Sequence, residues 1–494
     1  MDPSRLRLPS LGLLAAGAVL LAACASPGGS AAGNATDVLN RATAAMGADR
    51  LNTLRYTGEG TGWTFGQAYQ PGTAWPRITL HSVTRSIDYG AGAMRDEIVL
   101  SRAEPRGGGG YPLQGQQRID QYVAGDIAWN VTGATVTPGP RFTADRVHQL
   151  WITPHGVLKA AQRNNATVAR ADGGGSALAF TLPGRFAATV HLGPDNLVSR
   201  VESTAPDPVM GDTRTVTTYS DYRDVGNGIR FPARVQQTMG GHPVLDLAIK
   251  DVQANAPLTL AVPDAARNQG ENVTADAVVP GVWFLGGGSH NSVAIEMADH
   301  VILVETPLND ARTQAVIDRV KTLAPGKPIR TVVNSHAHFD HSGGVRTAVA
   351  EGATVVTGAV NVPYFQRVLA QANAVRPDAL ARAGRSATLR GVTDKLDIGD
   401  ASRPVELHAI AGGNHAEGFV MVYLPRERLL VQADAFTPPA PNTPPPSPPN
   451  ANNVTLVDNI ERLGLAVDRI LPLHGRVVPL SELYVQTGRT PPAR

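Results

Sequence analysis

Cysteine is nearly absent: among 494 residues there is one, Cys24, so no disulfide pair is available within the chain. Aromatic residues make up 5% and charged residues 17%, and the formal net charge of +2 leaves neither sign in excess. No run of Lys or Arg forms a stripe that could track phosphates, which excludes nucleic acid as an expected partner. Long apolar runs are missing too. The one at 11–23 is too short to span a bilayer comfortably. No internal repeat is evident. What is present is 51 Gly and 38 Pro, the composition of a loop-rich globular protein. The length exceeds one ordinary core and points to two or three domains, with two as the working number.

The short apolar run has a specific context. Arg5 and Arg7 precede it, giving the basic start and apolar core of an export signal. It ends in Leu21-Ala22-Ala23-Cys24, which resembles the lipobox of bacterial lipoproteins. That resemblance implies that Cys24 becomes the lipidated first residue, which would also consume the lone thiol of a chain sent to an oxidising compartment. In that family the residues after the cysteine guide sorting, and Ala25 is not the aspartate of inner-membrane retention, so in a host with two membranes the resemblance implies an outer-membrane anchor facing the periplasm. Ordinary signal cleavage releasing a soluble periplasmic protein is the alternative. The expected divisions are a signal peptide with lipobox at 1–24, a flexible tether at 25–36, a β-rich domain at 37–260, a linker at 261–277 and a second domain at 278–490.

Between 37 and 260 the chain alternates with the two-residue rhythm of strands, for instance at 176–182, 186–191 and 212–219. Gly, Pro and Asp turns separate these short runs, which predicts an antiparallel sheet. A helical pattern at 143–164 is broken at Pro154. The phrase Tyr219-Ser-Asp-Tyr-Arg-Asp-Val225, followed by Gly228-Ile-Arg-Phe-Pro232, resembles the half-barrel of periplasmic lipoprotein carriers. An acyl chain bound in this domain is what that likeness implies.

Beyond the linker, strand-like runs at 282–285, 293–296 and 301–304 lead to a helical pattern at 308–323, with Val316, Val320 and Leu323 on one stripe and Pro325-Gly326 as its stop. A further strand at 329–333 delivers the chain into a cluster of ligand-type residues. Alternating strands and helices predict a layered α/β unit. A proline-rich stretch at 437–453 is expected to be extended. It forms either one lip of a site or a surface loop.

The cluster is Asn334-Ser-His336-Ala-His338-Phe-Asp340-His341-Ser-Gly-Gly344. His336 and His338, two apart in extended backbone, project to the same side, and Asp340 and His341 stand where the chain curls into a helix. Imidazole and carboxylate are ligands that zinc accepts, and four such groups on one turn exceed what a single tetrahedral ion usually takes there. Two adjacent ions accommodate them.

This motif is similar to the signature of the metallo-β-lactamase superfamily, and downstream segments resemble the remaining motifs in order: Gly412-Gly-Asn-His415-Ala-Glu-Gly418, Val431-Gln-Ala-Asp434-Ala-Phe436 and Leu471-Pro-Leu-His474-Gly475. The resemblance implies a four-layer αββα sandwich behind the antiparallel β-rich domain. It implies His336, His338 and His415 at one metal, Asp340, His341 and His474 at a second, and Asp434 bridging them. Glu305 falls at the position of the first-motif carboxylate, and His290, Asn291 and Glu417 lie near motif positions as outer-sphere candidates. Two zinc ions are the expected cofactors, with iron or manganese as alternatives.

Water between two cations loses a proton near neutral pH, and the expected activity is hydrolysis of an ester, thioester, lactone or amide in a small-molecule substrate. Asp340 is expected both to bind metal and to fix the attacking oxygen. His338, where di-iron flavoproteins of this fold carry glutamate, favours zinc hydrolases. A periplasmic β-lactamase is one alternative, although only prolines and no basic residue follow Asp434 to grip a substrate carboxylate. Mono-iron oxygen chemistry is a minor option. In a different class, the chain is a lipid or lipoprotein carrier with a non-catalytic metal domain. The oligomeric state stays open.

Overall fold

A computed structural model describes residues 34–108, 115–171, 175–268 and 270–491. The expected signal peptide, Cys24 and most of the tether lie outside the described residues. Asn34 caps a helix, Ala35–Met46, its side chain accepting from the Thr36 amide at 3.1 Å. Ala35 and Thr36 are therefore the first turn of a helix and not tether: small polar residues suit an N-terminal cap as well as they suit a linker.

The N-terminal unit is one antiparallel sheet of thirteen strands. Its centre is a long-range pairing, in which Thr53–Trp63 lies antiparallel to His242–Ala254. From that seam one meander runs outward to Thr135–Pro138 and the other to Thr167–Ala169. Both edge strands are short, which limits the row of unpaired backbone groups that another chain could join. Helices Thr143–Trp151 and Pro154–Arg163 connect the two meanders, with Pro154 opening the second helix where its missing N–H costs nothing. The three helices bury Val38, Met46, Leu150 and Val157 in the same core as Ile87, Val190 and Phe231 of the sheet.

The second unit begins earlier than its expected boundary. Thr274–Val279 is already the edge strand of a seven-stranded sheet, paired with Val282–Gly286. The polar, small residues of 274–277 read as linker because an edge strand has one open side. A six-stranded sheet packs against the seven-stranded one. Alternation along a single strand shows how the layers form. In Val301–Val304, Ile302 and Val304 face the core shared with Val422, Val431 and Leu471 of the second sheet. Val301 and Leu303 face the opposite way, into the core that holds Val316, Ile317 and Val320 of helix Asp310–Leu323. On the far side, Leu456 and Ile460 of helix Ala451–Leu463 and Leu483 of helix Leu480–Thr487 join the inter-sheet core. The order helix, sheet, sheet, helix is the αββα sandwich.

Two boundaries differ from the sequence pattern. The helix expected from 308 starts at Asp310, capped by the Asn309 side chain on the Arg312 amide at 2.9 Å. The proline-rich stretch does not stay irregular to 453, because Asn450 caps the helix that begins at Ala451.

What gathers the functional side chains is strand direction. Val301–Val304 and Ile329–Val333 run parallel in one sheet, and Leu429–Gln432 and Arg469–Pro472 run parallel in the other. Glu305, His336, Asp434 and His474 each follow the carboxyl end of one of these four strands, so they emerge on one rim. The amide of Val420, which starts the strand after His415, donates to the Ser335 carbonyl at 2.8 Å and ties the two sheets at that rim.

Candidate metal centre

At the rim, ligand-type atoms form two groups, each with its atoms within 4.8 Å of one another. The first is His336, His338, His415 and Asp434; the second is His290, Asp340, His341 and His474. All seven residues expected as ligands from the sequence come together, with His290 added. Asp434 stands between the groups. Its Oδ2 lies 2.8 Å from His415 Nε2, 3.3 Å from His336 Nε2 and 3.0 Å from His341 Nε2. Its Oδ1 lies 2.7 Å from His474 Nε2.

Hydrogen bonding alone does not explain this crowding. His336 Nε2 faces His338 Nδ1 at 2.9 Å and His415 Nε2 at 3.1 Å, besides Asp434. One ring nitrogen carries at most one proton and cannot serve three acceptors. A tetrahedral zinc ion, with bonds of about 2.0–2.1 Å, separates its ligands by roughly 3.3 Å. The donor set and spacing therefore fit a divalent cation at each group.

The outer partners fix which nitrogen faces inward. Glu305 is wholly buried and sits at φ +72, a left-handed conformation unusual for a residue with a side chain. Its Oε2 accepts from Ser335 Oγ at 2.5 Å and from His341 Nδ1 at 2.9 Å. Ser335 Oγ in turn lies 2.9 Å from His336 Nδ1. One carboxylate thus holds a histidine of each group with Nε2 directed at the centre, the outer-sphere arrangement of metal-binding imidazoles. Asn291 acts through the backbone: its Nδ2 donates to the carbonyls of Pro472 and Gly475, on either side of His474. Glu417 is not in either group. Its amide donates to Tyr69 O, and it lines a cavity of about 190 Å³ beside His415, together with Asn452 from the first turn of helix Ala451–Leu463.

His290 differs most from its sequence reading. It was expected outside the ligand set, but its Nε2 reaches Asp340 Oδ2 at 3.1 Å and its ring contacts those of His341 and His474. Arg312, which the sequence reading missed, holds it there. This wholly buried guanidinium donates to the carbonyls of Asn272, Gly286 and His290. A signal existed, since Arg312 lies four residues before Val316 on the buried stripe of its helix.

Electrostatics divides the histidines. Burial lowers His290 to about 4 and His336 to about 3, and drives His338 well below the ordinary value, which favours the neutral ring in each. Burial also acts on His341, but Asp434, Asp340 and Glu305 outweigh it and hold the ring well above its ordinary value. Burial opposes ionisation of Asp340 and Asp434, yet the adjacent histidines, His341 foremost, keep both carboxyls well below the usual range. A cation bound at His341 Nε2 displaces a proton, so affinity falls on acidification.

Glu305→Gln leaves a single oxygen for Ser335 and His341. Metal affinity, measured by competition with a chromophoric chelator, is expected to fall about 10- to 100-fold. Unchanged affinity would contradict that role.

A two-sheet sandwich with ligand loops on one rim defines the class. Residues 285–474 match the family model of the metallo-beta-lactamase superfamily, and this C-terminal region is a domain of that superfamily. The 2,4-dinitroanisole O-demethylase subunit alpha of Nocardioides sp. (strain JS1661) is 26% identical over 209 residues, covering 41% of this chain and 58% of that protein. An alkyl/aryl-sulfatase of Saccharomyces cerevisiae is 28% identical over 182 residues, covering 30% of this chain and 28% of the relative. This chain thus spans less than two thirds of the length of these relatives. Among solved structures, a metallo-beta-lactamase from Pontibacter korlensis aligns at 17% identity with a TM-score of 0.34, over 44% of this chain and 98% of that one.

Proposed function

We propose that this chain is an exported metal-dependent hydrolase that holds two divalent ions, zinc in the first instance, and cleaves an ester, thioester, lactone or amide of a small-molecule substrate. The observation that carries this reading is Asp434, whose two oxygens face histidines of both ligand groups at 2.7–3.3 Å. When bound, a pair of cations supplies acidified water and polarises the scissile group. The protein's part is arrangement. His336, His338 and His415 hold one position; Asp340, His341, His474 and His290 hold the other; Asp434 is shared. Asp340 would both bind a cation and fix the position of the attacking oxygen. Neutral His336 and His338 contribute lone pairs without adding charge.

The carrier alternative calls for a lumen between the N-terminal helices and sheet. The stacking of His155 on Phe231, with ring centroids 5.9 Å apart, fills part of that space and favours the hydrolase.

The deciding experiment incubates metal-loaded protein with esters, thioesters, lactones, amides and β-lactams. Sulfate esters and aryl methyl ethers join the panel because relatives are named as a sulfatase and an O-demethylase. Turnover of at least one class, lost on chelation and regained with zinc, is expected; failure on every class with both ions present would overturn the reading. Export is proposed through the N-terminal signal, with lipid on Cys24 as the membrane anchor. Cell fractions assayed alongside are expected to show activity in the membrane for the full chain and in the soluble fraction for Cys24→Ser.

A further inference from the structure

The connection between strands Thr53–Trp63 and Arg77–Asp88 belongs to the N-terminal sheet, yet it leaves that sheet and lies against the ligand loop of the other domain. Four consecutive residues make the contact. Gly66 O accepts from the Phe339 amide at 3.1 Å. Gln67 Nε2 donates to Asp340 Oδ1 at 2.7 Å. Ala68 O stands 3.2 Å from His338 Nε2. Tyr69 O accepts from the Glu417 amide at 2.7 Å, beside the cavity at His415. Phe65 and Trp75, at the two ends of the loop, pack edge-on around Phe339 with centroids 5.2 and 5.4 Å away, inside the six-residue span that carries four ligands. There is no room to add a side chain at the closest approach: a Cβ on Gly66 would fall 2.6 Å from the Phe339 ring, and Gly66 also has φ +78.

Two of these contacts have a chemical consequence. His338 presents Nδ1 to its ligand group, so its Nε2 must carry the proton, and the Ala68 carbonyl is the acceptor that fixes this tautomer. Asp340 presents Oδ2 to His290, and Gln67 occupies Oδ1, which settles the rotation of the carboxylate. One dipeptide of the N-terminal domain therefore orients one residue in each ligand group.

We propose that the N-terminal domain completes the metal centre, with Gln67 as a positioning residue for Asp340 and the Ala68 carbonyl as the tautomer lock of His338, while Tyr69 forms a wall of the substrate cavity. This rests on the two-metal reading above. It gives the β-rich domain a task in the reaction of its neighbour, because a ligand loop without this dipeptide lacks an orienting partner on both sides.

The test uses full-length protein. Gln67→Ala is expected to weaken binding at the second site by about 10- to 100-fold, with the first site little changed, in chelator competition. With cobalt in place of zinc, its visible absorption bands are expected to shift, which a merely structural change far from the site would not cause. Asp212→Ala is the control. Asp212 makes a separate contact between the domains, accepting from the amides of Ala374 at 2.7 Å and Val375 at 3.3 Å, and it belongs to neither ligand group. It is expected to leave both affinities and the cobalt spectrum as in the wild type. Two results would overturn the proposal: wild-type affinities and spectrum in Gln67→Ala, or equal losses in both variants, which would reduce the loop to simple docking. Failure of the wild type to bind metal would instead sink the functional reading on which this rests.

Discussion

Asp434→Asn is expected to lower kcat/KM by about a thousandfold or more, equivalent to roughly 4 kcal/mol of transition-state stabilisation. The Asp434 carboxylate faces both ligand groups, with Oδ2 toward His336, His341 and His415 and Oδ1 toward His474. Asn keeps the shape but replaces one oxygen by an amide NH₂, which cannot ligate, and removes the negative charge that offsets two cations. It also removes the main counter-charge of His341, whose raised affinity for its proton depends on Asp434 first among its acidic neighbours. Steady-state kinetics with metal analysis on the same sample is the measurement. A variant that kept more than a tenth of wild-type kcat/KM would show that the bridging position is dispensable.

Removing metal is expected to destabilise the C-terminal domain more than any single core truncation. A ligand present at a thousand times its dissociation constant stabilises the folded state by about 4 kcal/mol per site. For a domain of this size each kcal/mol moves the midpoint by about 2–4 °C, so losing one ion shifts it by about 10 °C and losing two by more. Without cations, Asp340 and Asp434 have His341 as their foremost cationic neighbour, while burial favours the neutral form of His290, His336 and His338. Calorimetry of the protein before and after exhaustive chelation measures this, and readded zinc is expected to restore the original trace. Identical traces would mean that the ligand groups hold nothing that matters to folding.

The candidate ligand set was legible in the sequence where it is local. His336, His338, Asp340 and His341 occupy one turn after an apolar strand, and no folding knowledge is needed to see that their side chains crowd together. His415, Asp434 and His474 became readable through the order of the motifs, and Glu305 through its place at a strand end. The alternating strands of the N-terminal sheet and the short apolar strands of the sandwich were legible for the same reason, as was the helix break at Pro154.

What was not legible depends on contacts between distant segments. Gln67 and Asp340 are 273 residues apart, and nothing in the run from Thr64 to Pro76 distinguishes it from an ordinary turn-rich connection. The pairing of Thr53–Trp63 with His242–Ala254, on which the thirteen-stranded sheet is centred, is equally remote. Rhythm identifies each strand and says nothing of its partner. The approach of His290 to Asp340 depends on Arg312 holding the preceding loop, an arrangement made of backbone carbonyls that no side-chain pattern records. Helix Ala35–Met46 was read in part as tether, since Asn34 and its small neighbours serve a cap as readily as a linker.

The most direct measurement is anomalous scattering at the zinc absorption edge from crystals of the zinc-loaded protein. Two peaks are expected about 3.5–4 Å apart, one among His336, His338 and His415 and the other among Asp340, His341, His474 and His290, with an Asp434 oxygen reaching each. No peak at the rim, or peaks only elsewhere on the molecule, would contradict the two-metal centre.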